Sequence, residues 1–429
     1  MTLGKRRRAL AAVALAALLT ITAACGSNGP GSSGGGVSAW ALTGGDEQTF
    51  RTSFQSGNIN GQFFGNDAYK QKIRSAVGAN EAPTLLFSWG GGGMLKSWVD
   101  AGKVYDMSAD IQANPTMASR YLPSVYKAGL IDGKTYSLPA NSIQPVLLFY
   151  NKDLFAQIGA QPPKTWDDLM ALVPRFNAAG IAPLSIGGQS KWPQLMWEEY
   201  LVDRIGGPQV FNAIADNKPN AWSDPAVAKA NTMIQQLVDA NGFVRGFNSI
   251  ATDSNADTAL LYTGRAAMYL MGSWAYPTIK QADPGFAATK LGYTTFPTVA
   301  GGTGSPTDIV GNPANYWSIS ANASDAQKQA AVSYLRDNVM NDSYVDSLLG
   351  SGSVPPINGI QDKLAKTADP QYLTYVYDLA ANAPTFQMSW DQALSTGQAD
   401  TLLTNLDQLF GKQITPGQFA ANMNATIGK

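Results

Sequence analysis

Histidine is absent from all 429 residues, and cysteine occurs once, at Cys25. Without histidine the commonest general base and metal ligand are missing, and with them every Ser-His-acid or Cys-His arrangement. One cysteine permits no intrachain disulfide and, with no histidine to join it, argues against zinc, haem and iron–sulfur sites, so no cofactor is expected. Carboxylate-only chemistry and oxygen-ligated calcium or magnesium stay open. Charge is also scarce, at 14% Asp, Glu, Lys and Arg against roughly 25% in typical soluble proteins. The formal net charge of −1 provides no field for nucleic acid or an anionic membrane surface. No internal repeat of about 20–50 residues is visible, which sets solenoids and propellers aside.

What is present begins with a leader. Lys5, Arg6, Arg7 and Arg8 precede an uncharged stretch over residues 9–24, closed by the small residues of Thr22-Ala23-Ala24-Cys25-Gly26-Ser27. A basic start, an apolar middle and a small-residue cleavage site make residues 1–24 an export signal. The stretch is shorter than the ~20 apolar residues that cross a bilayer stably. A cysteine at the cleavage point can be acylated and hold the chain on the outer membrane face. The pattern resembles a bacterial lipobox, with Thr22 where Leu, Val or Ile is usual. Residues 25–36 are a Gly/Ser-rich tether without the apolar groups to fold. The body beyond it is too long for one ordinary core and long enough for two lobes.

Strand-like and helix-like stretches alternate along that body. Strands are expected at residues 37–42, 83–88, 134–139, 146–150, 266–271, 292–296, 308–311 and 316–320. Helices are expected from 47 to 54, 69 to 77, 94 to 101, from Thr165 onward, and over 226–238 and 255–262, and they dominate after 325. This alternation means an α/β architecture.

Ligands of open α/β sheets collect beyond the carboxyl ends of strands, and two tryptophans fall at such ends. Trp89 precedes the run Gly90 to Gly93, and Trp274 follows Gly272-Ser273. Glycine beside an indole lets backbone approach a ligand and leaves the ring face open. A sugar ring covers an indole with its C–H patches, while its hydroxyls need Asn, Gln, Asp or Glu in plane. Trp192 in Lys191-Trp192-Pro193 and Trp390 in Met388-Ser389-Trp390-Asp391 occupy loop-like contexts and join the candidates; Trp98, Trp166 and Trp317 read as structural. The glycine run lacks the Gly-Lys-Ser/Thr of a phosphate loop and the spacing of a dinucleotide fingerprint. Asp46-Glu47, Asp167-Asp168 and Glu198-Glu199 are the carboxylate pairs that glycoside hydrolysis would need, but adjacent helical residues diverge by ~100°. Asp253, Asn255 and Asp257 alternate as in a calcium loop without its glycine and distal glutamate. An export leader, few charges and ten tryptophans together point to capture of a neutral polar ligand.

Several stretches resemble one family. Gly133-Lys134-Thr135-Tyr136-Ser137-Leu138-Pro139, Leu148-Phe149-Tyr150-Asn151-Lys152-Asp153-Leu154-Phe155, Pro163-Lys164-Thr165-Trp166-Asp167-Asp168-Leu169 and Gly264-Arg265-Ala266-Ala267-Met268 with Gly272-Ser273-Trp274 occur in the order found in family 1 extracellular solute-binding proteins. Phe296-Pro297 and Ile414-Thr415-Pro416 fit as well. This is the maltose-binding-protein-like class of bacterial carbohydrate ABC transporters. The resemblance implies a two-lobed periplasmic-binding-protein-like fold of type II, each lobe a β-sheet flanked by helices. It places lobe one at residues 37–143 and 312–355 and lobe two at 144–311 and 356–429. The crossings would lie near 142–146, 308–312 and 354–358. It further implies a monomeric, non-enzymatic protein, lipid-anchored through Cys25 on the extracellular face of the cell membrane. Such a protein hands a neutral di- or oligosaccharide, such as a β-linked xylo- or cello-oligosaccharide, to a permease. Carried over by position, the ligand contacts would be Trp89, Trp274, Trp390, Asp46, Glu47, Asn141 and Asn312, and Trp192, Gly90 and Asp391 complete the expected set. A secreted carbohydrate-active enzyme, and a binder of another solute on the same fold, are the alternatives.

Overall fold

The computed structural model describes residues 36–429. The export leader, Cys25 and residues 25–35 of the tether lie outside the described residues.

Apolar runs form the strands at the centre of each half. One sheet contains β1 (Val37–Leu42), β2 (Ile59–Phe64), β3 (Leu85–Ser88), β6 (Leu138–Pro139) and β12 (Tyr316–Ile319). Its order is β2-β1-β3-β12-β6, parallel across the first three and antiparallel at β12. A second sheet contains β7 (Gln144–Asn151), β8 (Ala182–Ser185), β9 (Ala266–Gly272), β10 (Leu291–Thr294), β11 (Ile309–Asn312) and β13 (Phe386–Met388). It runs β13-β11-β7-β9-β8, and β10 pairs with the far end of β7. A small hairpin joins β4 (Leu130–Ile131) to β5 (Lys134–Thr135). Both faces of these sheets are covered, so β3 and β9 are buried at every position, in keeping with their largely apolar sequence.

Between the sheets the chain passes at residues 140–143 and returns at 313–315. Residues 354–358 run beside 120–122, with Leu122 N–H donating to Pro356 O and Asn358 N–H to Arg120 O, both at 2.9 Å. Helix starts follow the sequence signals: Thr165, Ser324 and Thr415 each close a capping box. In the first half Trp317 is fully buried against Phe50, Phe54 and Phe87, at centroid distances of 5.8, 5.9 and 5.3 Å. Trp98 and Trp166 are buried too.

Several elements differ from the sequence reading. The expected strand 134–139 is split into Lys134–Thr135 and Leu138–Pro139, which join different sheets. Ala182–Ser185 and Phe386–Met388 are additional strands, and two further differences bear on the cleft. Ile59–Phe64 carries Asn60, Gly61 and Gln62 and shows no apolar alternation; six register pairs with β1 make it a strand. Trp192 heads the 15-residue helix Trp192–Gly206 instead of lying in a loop, and Lys191 turns the chain into it with φ of 62°. That helix is buried on all sides, so its sequence has no polar stripe to announce it.

The same helix carries Glu198 and Glu199 into the core. Glu199 Oε1 accepts from Ser389 Oγ at 2.9 Å and from Trp390 N–H at 2.7 Å, while Oε2 has no partner. Burial pushes its carboxyl up to about 8, partly opposed by these two donors. The folded protein therefore holds an extra proton between the ordinary value of 4.5 and about 8. Stability from this group is complete below that window and is lost as pH rises through it. The melting temperature of the wild type is expected to fall across the window, and Glu199→Gln to show a shallower fall. Parallel pH profiles of the two proteins would assign the drop to other groups.

Candidate functional site

Loops beyond the carboxyl ends of strands from both sheets face one another across a cleft of about 240 Å³. Leu42 ends β1 and residues 43–47 follow it, Gly65 and Asn66 follow β2, and Trp89 follows β3. From the other side come Trp192 after β8, Trp274 after β9, and Ser389 and Asp391 after β13. The crossings add Asn141, Gln144, Asn312 and Asn315. This is where the geometry of an open α/β sheet places a ligand.

Three indoles line the cleft. Trp274 is half-buried, and its ring centroid lies 6.1 Å from that of Trp192 with the planes 51° apart. A Cβ on Gly272 would fall 1.8 Å from Trp274 Cζ3, so only glycine lets this ring fold back over the strand end. Trp89 is mostly buried, edge-on to Phe87 at 5.6 Å, with Lys70 Nζ 5.0 Å from its ring centroid. Trp192 Nε1 is buried without a partner.

The carboxylates of the lining are already engaged. Asp46 Oδ1 accepts from Ser353 Oγ at 2.6 Å and Ser351 Oγ at 3.0 Å. Burial raises its carboxyl above the usual range, and these donors together with Asn141 and Ser142 pull it back. Glu47 pairs with Arg51 one helical turn away. Asp391 pairs with Lys70 at 3.0 Å, and Asp253 accepts the backbone N–H of Asp67 at 3.0 Å. Among the amides, Asn315 Oδ1 accepts from Gln144 Nε2 at 2.6 Å and Asn141 Nδ2 at 3.2 Å. The Oδ1 atoms of Asn141 and Asn312 are buried and unpartnered.

Of the residues singled out from the sequence, Trp89, Trp192, Trp274, Asp46, Glu47, Asn141, Asn312 and Asp391 line the cleft. Trp390 and Gly90 do not. Trp390 is fully buried, stacked on Phe211 at 4.7 Å with planes 7° apart, and its Nε1–H donates to Gln387 at 2.8 Å. It opens the short helix Trp390–Ala393, whose first N–H is bound by Glu199, so the ring points inward while Asp391 faces the cleft. Gly90 takes a φ of 128° and packs by Met388 Cε. The alternating acids of 253–257 do not converge: Asp257 is buried under Tyr269 Oη and Thr252 Oγ1, both at 2.8 Å. Among the described residues no group of acids could hold a metal ion.

Lys70, Gln144, Thr278 and Asn315 were missed by sequence reasoning, and Asp253, weighed only as part of a calcium loop, lines the cleft instead. Lys70 lies off the buried stripe of Tyr69, Ile73 and Val77, which marks it as outward-facing but not what it faces.

Residues 51–336 match the family described as bacterial extracellular solute-binding protein. The chain belongs to that family. An uncharacterized ABC transporter extracellular-binding protein of Pyrococcus horikoshii is 28% identical over 212 residues, 43% of this chain and 47% of the relative. The multiple sugar-binding protein of Streptococcus mutans is 26% identical over 243 residues, 54% of each chain. These matches span about half the length of the curated relatives. A solved structure from a study of xylan utilization by Caldanaerobius polysaccharolyticus has a TM-score of 0.80 at 28% identity, covering 91% of this chain and 100% of the other. The fold is thus the two-lobed, maltose-binding-protein-like α/β type.

The different burial of two indoles makes a direct comparison. Trp390→Ala is expected to destabilise the protein by about 3–5 kcal/mol, as emptied core sites of this size do. Trp274→Ala, half-exposed on the cleft, should shift the melting curve far less. Denaturant unfolding of both variants checks this, and equal losses would place Trp274 in the core.

Proposed function

We propose that the cleft captures a neutral di- or oligosaccharide and that hinge closure delivers it to an ABC permease. The hinge would divide lobe one (37–143 and 312–355) from lobe two (144–311 and 356–429), with the protein acting as a monomer. The observation that carries this reading is a lining in which two indoles, Trp192 and Trp274, are part-exposed while every acid is answered. Trp192 and Trp274, both half-buried, offer ring surface, Trp89 backs the lining from beneath Lys70, and Asn141 Oδ1, Asn312 Oδ1 and Trp192 Nε1 offer uncommitted acceptors and a donor. Asp46, Glu47, Asp253 and Asp391 are held by partners within the protein. A charged solute would have to displace one of these partners; a sugar need not.

Magnitudes favour many weak contacts acting together. Micromolar affinity needs about 8 kcal/mol. A stacked ring adds only ~0.5–1.5 beyond its buried area, and a hydrogen bond nets a similar ~0.5–1.5. The three indoles and the crossing amides supply contacts of that number and kind.

Binding without turnover is supported by the state of the carboxylate pairs. Glu198 and Glu199 are sealed in the core, Asp168 caps its own helix, and Asp46 is saturated by serines. None forms a pair of free acids across the cleft, as glycoside hydrolysis demands. The Streptococcus mutans relative is called a sugar-binding protein and the Caldanaerobius structure belongs to work on xylan, both consistent with a β-linked or other oligosaccharide.

A thermal-shift panel of xylo-, cello- and malto-oligosaccharides should show stabilisation by at least one series, with no shorter products after incubation. For that sugar, Trp274→Ala should raise Kd at least about tenfold by calorimetry, equivalent to ~1.4 kcal/mol. Unchanged affinity would remove Trp274 from the site.

Acylation at Cys25 would anchor the exported protein to the outer membrane face. Cys25→Ser is then expected to move it from the membrane fraction to the medium; persistence in the membrane fraction would exclude this anchor.

A further inference from the structure

One helix of the first half reaches across the cleft with a single stripe. On Asn66–Ala79, positions 67, 70 and 74 follow the three- and four-residue spacing of one helical face. Each meets an aspartate from the second sheet's side. Asp253 Oδ2 accepts the N–H of Asp67 at 3.0 Å, Lys70 Nζ binds Asp391 at 3.0 Å, and Arg74 Nη1 binds Asp400 at 3.2 Å. The helix N-terminus, whose free N–H groups carry a partial positive charge, is thus capped by a residue 186 positions away.

Beside this stripe the glycine run lies flat against the same neighbour. A Cβ on Gly92 would fall 2.0 Å from Gln392 O, and one on Gly93 would fall 1.9 Å from Leu394 O. The nearest atoms to either hypothetical Cβ all belong to residues 392–395, and neither glycine has a positive φ. Their smallness serves the approach of the other half, not a local turn.

We propose that these surfaces form a closure latch: three aspartates of one half seat on the positive end and cations of helix Asn66–Ala79, over a bed of bare backbone at Gly92–Gly93. The inference rests on the hinge-closure reading and adds to it residues that set affinity from outside the sugar site. Arg74 and Asp400 are absent from the cleft lining, so they act on ligand only through the closed form. Such a latch raises the population of the closed form before sugar arrives, and the gain appears in the apparent affinity.

Small-angle scattering of the purified, ligand-free protein tests this without any sugar. Raising salt from about 0.02 M to about 1 M shortens the screening length to ~3 Å, and the radius of gyration of the wild type should increase. Arg74→Asp should be expanded already at low salt, relative to the wild type. The exchange variant Arg74→Asp/Asp400→Arg should regain the compact, salt-sensitive form. Gly93→Ala should be expanded at every salt concentration while melting near the wild type. For any oligosaccharide that binds, Arg74→Asp should weaken Kd about two- to five-fold, the range expected of an exposed ion pair. Equal radii for all four proteins at both salts would overturn the latch. So would a Gly93→Ala protein that melts earlier without expanding. If no sugar binds, the ligand reading fails while the scattering result still decides the latch.

Discussion

The cleft depends on two stretches of chain that pass between the sheets side by side, tied together through Asn315, whose backbone O accepts from Ala140 N–H at 2.7 Å. Asn315 Oδ1 accepts from Asn141 and Gln144, so the returning crossing is bonded to the outgoing one. Gly311, with φ of 137°, brings the strands together there; a Cβ would sit 2.2 Å from Gln144 O. Because both crossings are short, the loops after each sheet's strands are left facing one another. Every residue proposed to hold ligand owes its position to that arrangement.

Charge is handled in the same economical way throughout the site. A lining with acids on both sides would ordinarily attract cations, yet each acid here is answered by serines, an arginine, a lysine or a helix end. The answering groups of Asp391 and Asp253 come from across the cleft. Neutralising the cleft and drawing its halves together are therefore one act. Screened, exposed pairs such as Arg74–Asp400 are individually weak, as the proposed reversible closure requires.

Trp390 and Trp274 illustrate how far local pattern reaches. Both stand near small or polar residues in sequence, and both read as open rings. Tertiary packing separates them: Glu199, buried on a helix 191 positions away, binds the N–H of Trp390 and turns its ring onto Phe211. Gly272, two residues away, leaves Trp274 room to lie over its own strand end. The second relation is local and legible. The first spans half the chain and is not.

Local chemistry alone determined the α/β alternation, the capped helices at Thr165, Ser324 and Thr415, and the glycine-flanked indoles at strand ends, because each is set by neighbours within a few residues. It also determined that no histidine- or thiol-pair chemistry operates here. Only the tertiary structure decided that Ile59–Phe64 is a strand, that Trp390 is core, and that Lys70 and Asp253 meet partners across the cleft. Those outcomes are long-range pairings between halves of the chain, and the free energy that selects them has no trace in the spacing of adjacent residues.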